Sequence, residues 1–175
     1  MQTHLAINLL AKDAIGLVER ITRPVAQNKC MLLDSRMFAV GDHFAATLLV
    51  SGSWDRVSRL ETAIRQLAAQ HDMTLQLTRT EPPPTMSAHI PYAVDIVGIN
   101  APDIPHLLAQ FFAAQGVNIR DFSTIPYQAS GSGAAMLSLR MQIDIPADHR
   151  LALFKDAFYD LCDELNLDAT LDPVR

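Results

Sequence analysis

The sequence predicts an α+β protein of two tandem modules, each a four-stranded antiparallel sheet with two helices on one face. Three observations point there. The two halves repeat each other, each half alternates between the periodicities of strand and helix in one order, and a proline-rich segment divides them.

The repeat is the strongest of the three. Leu5-Ala6-Ile7-Asn8-Leu9-Leu10 is echoed by Tyr92-Ala93-Val94-Asp95-Ile96-Val97, a displacement of 87. Both runs alternate with a period of two, which marks a strand covered on one side, with Leu5, Ile7 and Leu9 matching Tyr92, Val94 and Ile96. The same displacement carries Leu32 onto Ile119 and Asp34 onto Asp121, within a second strand of each half. Further on the displacement becomes 94, so that Leu60, Ala63, Ile64 and Leu67 fall on Phe154, Ala157, Phe158 and Leu161, spaced as on one helix face. Extra residues in the second hairpin, within Gln128-Ala129-Ser130-Gly131-Ser132-Gly133, account for the change; the first hairpin turns tightly at Gly41-Asp42.

In chain order, the first half has strands near 4–11, 30–40, 43–51 and 72–79, and helices near 15–28 and 54–70. The second has strands near 90–99, 117–127, 134–145 and 166–172, and helices near 104–115 and 147–164. Ser53 and Ala147-Asp148 stand where the second helices should begin, as N-cap residues. Pro24 should kink or shorten the first helix, whose face is Leu17, Val18, Ile21 and Val25. This order is the split βαβ, or ferredoxin-like, pattern. It gives a first domain at 1–80, a linker at 81–89 around Pro82-Pro83-Pro84, and a second domain at 90–175.

Composition narrows the function. Fourteen Lys and Arg against nineteen Asp and Glu leave a net charge of −5, with no basic run of the kind that grips nucleic acid. Cys30 and Cys162 lie far apart, without metal-ligand spacing, so neither a zinc site nor a disulfide framework is expected. The chain shows no signal-peptide pattern and no stretch approaching the ~20 apolar residues of a membrane span, so a cytoplasmic location is expected. His43 and His106 lack a partnered nucleophile or acid at fixed spacing, and Trp54 and Phe111-Phe112 read as packing residues. Asp163-Glu164 reads as a solvated helix face. No P-loop, GxGxxG or HExxH motif occurs, and no cofactor or catalytic residue is expected.

The informative place is the turn from first strand to first helix, Asp13-Ala14-Ile15-Gly16-Leu17. Unpaired N–H groups at a helix start attract a carboxylate, and glycine permits close approach. An acidic residue just before can hold an ammonium, so the turn suits a free amino acid. An Asp in this place also serves as a plain N-cap, and the residues alone leave both readings open.

Asp13-x-x-Gly16-Leu17-Val18 resembles the Asp-x-Pro-Gly-(Ile/Leu) turn of ACT domains, with Ile15 in place of proline. The second half has Asn100-Ala101-Pro102-Asp103-Ile104 at the same point, and its Gly116-Val117-Asn118-Ile119 resembles the Gly-x-Asn-Ile run that leads into the second ACT strand. Met31 and Leu32 take the first-half places of Asn118 and Ile119, and Asp103 takes that of Gly16, so neither half has the full ligand-binding set. Asp34-Ser35-Arg36, Ser51-Gly52-Ser53-Trp54 and Leu161-Cys162-Asp163-Glu164-Leu165, with the proline-rich joint, resemble the glycine cleavage system transcriptional repressor family over essentially the whole chain. The resemblance implies a small amino acid such as glycine or serine as ligand. It also implies a DNA-binding transcriptional regulator as protein partner, with no direct grip on DNA.

Two alternatives stay open: a direct nucleic-acid-binding module of this strand order, and a small-ligand-binding ACT protein without a transcriptional role. The first would want aromatics on the sheet and a basic rim. As an enzyme, an acylphosphatase would need a glycine-rich phosphate loop with its arginine, which is missing. Modules of about 80 residues with open sheet edges are expected to pack against each other, and the same edges admit a homodimer. The two turns are expected to be unequal. Asp103 would cap its own helix ahead of Pro105, and Gly16→Asp would abolish binding at the first turn with little loss of folding.

Overall fold

A computed structural model describes residues 2–81 and 88–174. The chain divides into two compact units, Met1–Pro84 and Thr85–Arg175. Residues 82–87 of the expected 81–89 linker lie outside the described residues.

In the first unit the order is β1 (Gln2–Lys12), α1 (Leu17–Gln27), β2 (Met31–Val40), β3 (His43–Ser53), α2 (Trp54–Gln70) and β4 (Thr74–Thr80). In the second it is β5 (His89–Ile99), α3 (Ile104–Ala114), β6 (Asn118–Gln128), β7 (Ala135–Pro146), α4 (Leu151–Glu164) and β8 (Asp168–Pro173). The sheets run β2-β3-β1-β4 and β6-β7-β5-β8, with every pairing antiparallel. The tandem α+β fold predicted from the repeat is the fold observed. No helix among the described residues is long and apolar enough to cross a membrane.

Each core forms between the helix layer and the inward face of the central strands. Leu5, Ile7 and Leu9 point into one core, and Tyr92, Val94 and Ile96 into the other. Above them Leu17, Ile21 and Val25 of α1 match Ile104, Leu108 and Phe112 of α3, all buried at a displacement of 87. Leu60, Ile64 and Ala68 of α2 match Phe154, Phe158 and Cys162 of α4 at a displacement of 94. Val18, expected on the buried face, is exposed, and Pro24 is buried instead. The helix stripe lies one position round from the sequence estimate. α1 runs on through Pro24, whose carbonyl accepts hydrogen bonds from the Asn28 backbone N–H (3.0 Å) and side-chain amide (2.9 Å). With less than a turn of helix beyond it, the proline sacrifices one helical hydrogen bond without ending the helix.

The repeat extends to irregular features. The β2–β3 register slips between Leu32 and Asp34, and the β6–β7 register slips between Ile119 and Asp121. Leu33 and Arg120 are therefore bulge residues at equivalent positions. Lys29 and Gly116 both have positive φ, 52° and 66°, just before their second strands. The two units differ at the start of their second helices, α2 and α4. Ala147-Asp148 was the expected helix start, but a turn closed by His149 N–H to the Pro146 carbonyl (3.0 Å) occupies that stretch, and α4 starts after Arg150. In the first unit β3 passes directly into α2 at Ser53, whose hydroxyl makes no capping bond.

Candidate functional site

At the end of β1, Asp13 N–H donates to the Asp42 carbonyl (2.9 Å), tying the strand end to the β2–β3 hairpin. The chain then turns through Ala14 and Ile15 to Gly16, the helix N-cap, at φ 85° and ψ 6°. That left-handed conformation is disfavoured for residues with a Cβ, and it is the local reason a glycine stands here. No atom lies within 4 Å of where a Cβ would project, so the surface over Gly16 is open. Leu17 N–H reaches the Ala14 carbonyl at 3.3 Å. The next N–H groups, of Val18 and Glu19, have no helical carbonyl to pair with. Glu19 would place a negative charge in this first turn, but Arg23 holds its carboxylate at 2.7 and 2.8 Å. Asp13, Ala14, Ile15 and Gly16 are all exposed, Ile15 almost completely (99%), while Leu17 is anchored in the core.

The second turn has the same frame with different chemistry. Asn100 N–H donates to the Ala135 carbonyl (2.9 Å), the counterpart of the Asp13 bond. Asp103 is the N-cap residue and Pro105 occupies the first turn of α3, as expected. The expected carboxylate cap is not made: the Asp103 side chain forms no capping hydrogen bond. Its backbone lies in the right-handed helical region (φ −87°, ψ −21°), whereas a capping side chain folds back over the helix end from an extended backbone. The negative charge is nonetheless present at this turn and absent at Gly16. The left-handed Gly16 also bears on the expectation that Gly16→Asp would cost little folding, because a side chain there is strained whatever space surrounds it.

The remaining expected ligand residues stand elsewhere. Lys12, beside the turn, pairs with His43, whereas Met31 pairs with Ser51. Those positions are eight residues apart along β3, roughly 26 Å at ~3.3 Å per residue. Met31 and Leu32 therefore lie at the opposite end of the first sheet from Asp13–Leu17. Asn118 and Ile119 are likewise at the far end of the second sheet from Asn100, Asp103 and Ile104. A chain that runs up a strand and back down a helix separates its first turn from the start of its next strand by the height of the sheet. Within one unit only Asp13–Leu17, or Asn100–Ile104, can share a ligand.

Other residues singled out in the sequence find structural places. His43 does meet an acid, its Nδ1 lying 2.6 Å from an Asp42 carboxylate oxygen, in an exposed pair of chain neighbours at the hairpin. Trp54 is 62% exposed rather than packed, with the Arg79 guanidinium 5.7 Å from its ring centre. Phe112 is fully buried, and Phe111 packs edge-on against it at 5.4 Å. Burial, reinforced by neighbouring Asp163, pushes the Cys162 thiol up to about 11, so it stays protonated and a poor nucleophile. Burial also raises Cys30, with Arg56 and Arg59 opposing. The outer faces of the central strands carry Ala45, Thr47, Leu49, Ala6, Asn8 and Leu10 in the first unit, with no aromatic among them.

The sequence reading missed a trough between α1 and α2, lined by Arg20, Gln27, Gln66 and Gln70 among others. Its only sequence signal is the run of long polar side chains at helical spacing beside Pro24.

The ACT domain family model matches residues 3–78. The chain is 32% identical to the glycine cleavage system transcriptional repressors of Escherichia coli (strain K12) and Shigella flexneri, over 99% of this chain and 92% of each relative. Among solved structures, one ascribed to a glycine cleavage system transcriptional repressor aligns with TM-score 0.72 and 23% identity, over 100% of this chain and 99% of that one. An unknown protein from Galdieria sulphuraria aligns with TM-score 0.83 and 18% identity over 100% of both chains. These two structures speak for the fold, and the identity to the curated relatives speaks for the family. The chain belongs to the glycine cleavage system transcriptional repressor family, a family named for regulation rather than catalysis, and it carries the βαββαβ ACT fold twice.

Proposed function

We propose that this chain is an amino-acid-responsive regulator that works through contact with a DNA-binding transcriptional regulator and does not grip DNA itself. The observation that carries the ligand half is the open, left-handed Gly16 at the start of α1. A ligand carboxylate takes the Val18 and Glu19 N–H groups, helped by a helix-end field of ~0.3–1 kcal/mol. Asp13 takes the ligand ammonium. At the second turn Asp103 repels a carboxylate, so the first turn is the receptor. The protein-contact half is supported by the net charge of −5 and by central strands without the stacking aromatics of an RNA-binding sheet.

Calorimetric titration with glycine and serine tests the ligand half. Asp13→Ala should abolish binding and Asp103→Ala should leave it intact. Glycine and serine binding to Asp13→Ala as tightly as to the parent would remove the turn from consideration. A gel shift tests the other half. The expected result is no sequence-selective retardation of DNA by the chain alone at physiological salt, and a supershift when a co-purified DNA-binding regulator is present. Selective retardation by the chain alone would favour the direct nucleic-acid reading.

A further inference from the structure

The helix layer of the first unit opens into a trough of about 330 Å³ between α1 and α2. Pro24, Ala63 and Leu67 form its apolar floor. One wall carries Arg20, Arg23 and Gln27, spaced i, i+3 and i+7 along α1. The other carries Gln66 and Gln70, one turn apart on α2, with His71 at the end. No carboxylate lines it. Arg23 is held by Glu19, but Arg20, a half-buried residue, makes no ion pair or side-chain hydrogen bond among the described residues, and neither do the three glutamine amides.

The fold does not require this trough. The second unit fills the same place. Phe111 stands where Pro24 stands in the first unit and packs 5.8 Å from Phe154 and 6.1 Å from Phe158. Leu107 and Leu165 replace Arg20 and His71, and Asp160 and Glu164 replace Gln66 and Gln70. The opening and its cationic, amide-rich walls are therefore particular to the first unit.

A guanidinium left without an anion beside an apolar floor is poised for a carboxylate, which it can hold through two parallel N–H bonds. Glutamine amides both donate and accept, as a peptide main chain does. The wall from Arg20 to Gln27 runs about 10 Å along the helix, the length of about three extended residues. An open trough of that length admits a segment passing through it more readily than it traps a small molecule.

We propose that the α1–α2 trough of the first unit is a docking cleft for an acidic segment of a partner protein. A carboxylate of the segment lies on Arg20, an apolar neighbour on the Pro24–Leu67 floor, and the main chain between the glutamines. The proposal rests on the reading that the chain acts through protein contact and names the surface that makes it.

The test is fluorescence anisotropy of the full chain with a labelled, end-capped octapeptide alternating Glu and Leu, and in parallel competition by free glutarate. The peptide should bind, with affinity falling as salt rises. Arg20→Leu, which installs the residue of the second unit, should weaken it by roughly tenfold. Gln70→Glu should weaken it too, and Leu107→Arg should not, with circular dichroism confirming that each variant is folded. Failure of the parent to bind, equal binding by parent and Arg20→Leu, or displacement by glutarate at concentrations matching the peptide would each overturn the proposal. A regulator that still co-purifies equally with parent and Arg20→Leu would place the protein contact elsewhere and leave the broader regulatory reading standing. Loss of that co-purification with Arg20→Leu would support the cleft directly.

Discussion

In the first unit the helix layer rests on Val25, Leu60, Ile64 and Ala68; in the second, the same places hold Phe112, Phe154, Phe158 and Cys162. At these places the first core has small or aliphatic side chains, whereas the second has three packed phenylalanine rings and a cysteine. The surfaces diverge further. Residues 1–81 carry nine Lys and Arg against eight Asp and Glu, whereas residues 88–175 carry five against eleven. The excess negative charge of the chain thus sits in the second unit. Backbone features, by contrast, are kept: a bulge at Leu33 and Arg120, a left-handed residue at Lys29 and Gly116, and a strand end tied to a hairpin at Asp13 and Asn100. The comparison teaches that this fold constrains where side chains point and where the backbone must bend, but leaves volume and charge free to change if neighbours change with them.

Substitutions that move one unit toward the other probe that lesson, and the largest effect is expected in the ring cluster. Phe112 is fully buried, so Phe112→Ala removes a ring its neighbours cannot replace and should cost about 3–5 kcal/mol. Val25→Ala, at the matching place, should cost about 2 kcal/mol because less volume is lost. Urea unfolding followed by far-UV circular dichroism measures both. Equal costs would mean that the two cores collapse around a cavity to different extents.

An intermediate effect is expected at the bulge. In the second unit Arg120 reaches the buried Asp144 at 3.3 Å; in the first, the matching pair is Leu33 and Ser51, and Ser51 accepts a hydrogen bond from the Gln2 amide at 3.2 Å. Arg120→Leu should cost about 1–3 kcal/mol, since it strands a buried carboxylate. Adding Asp144→Ser copies the first unit and should recover most of that loss. Additive costs in a double-mutant cycle would show that the two positions are not coupled.

The smallest effect is expected at the left-handed residue. Lys29 tolerates φ 52° at some cost, and Lys29→Gly should stabilise the first unit by up to about 1 kcal/mol, the strain relieved being partly offset by added freedom in the unfolded chain. Gly116→Ala should destabilise the second unit by a similar amount. A shift of the thermal midpoint in the same direction for both variants would contradict the equivalence of the two positions.

Much of the fold was legible because hydrophobic period and turn chemistry are local. Leu5, Ile7 and Leu9 announce a half-covered strand whatever surrounds them, and the doubled pattern makes each half a check on the other. The end of α4 was legible but its beginning was not, because Ala147-Asp148 has the chemistry of a helix start while the chain closes a turn there, with His149 N–H on the Pro146 carbonyl, and delays α4 until after Arg150. Val18 was placed on the wrong face because Val and Pro at positions 18 and 24 are both apolar, and only contact with the sheet decides which is buried. The candidate site was half legible. Gly16 and Asp13 could be read from their turn, but grouping Met31, Leu32, Asn118 and Ile119 with those turns overlooked the height of the sheet.

By itself the sequence determined that there are two modules, that each alternates strands and helices in one order, and which residues begin the two unequal turns. Those properties follow from the spacing of apolar side chains and from glycine and proline, which act on their immediate neighbours. The tertiary structure alone decided that the Asp103 carboxylate leaves its helix end uncapped, that Met31 lies a full sheet away from Gly16, and that a cationic trough opens between α1 and α2 where the second unit packs Phe111. Each depends on strand register and on helix rotation against the sheet, set by contacts between residues far apart in the chain, and no local pattern encodes them.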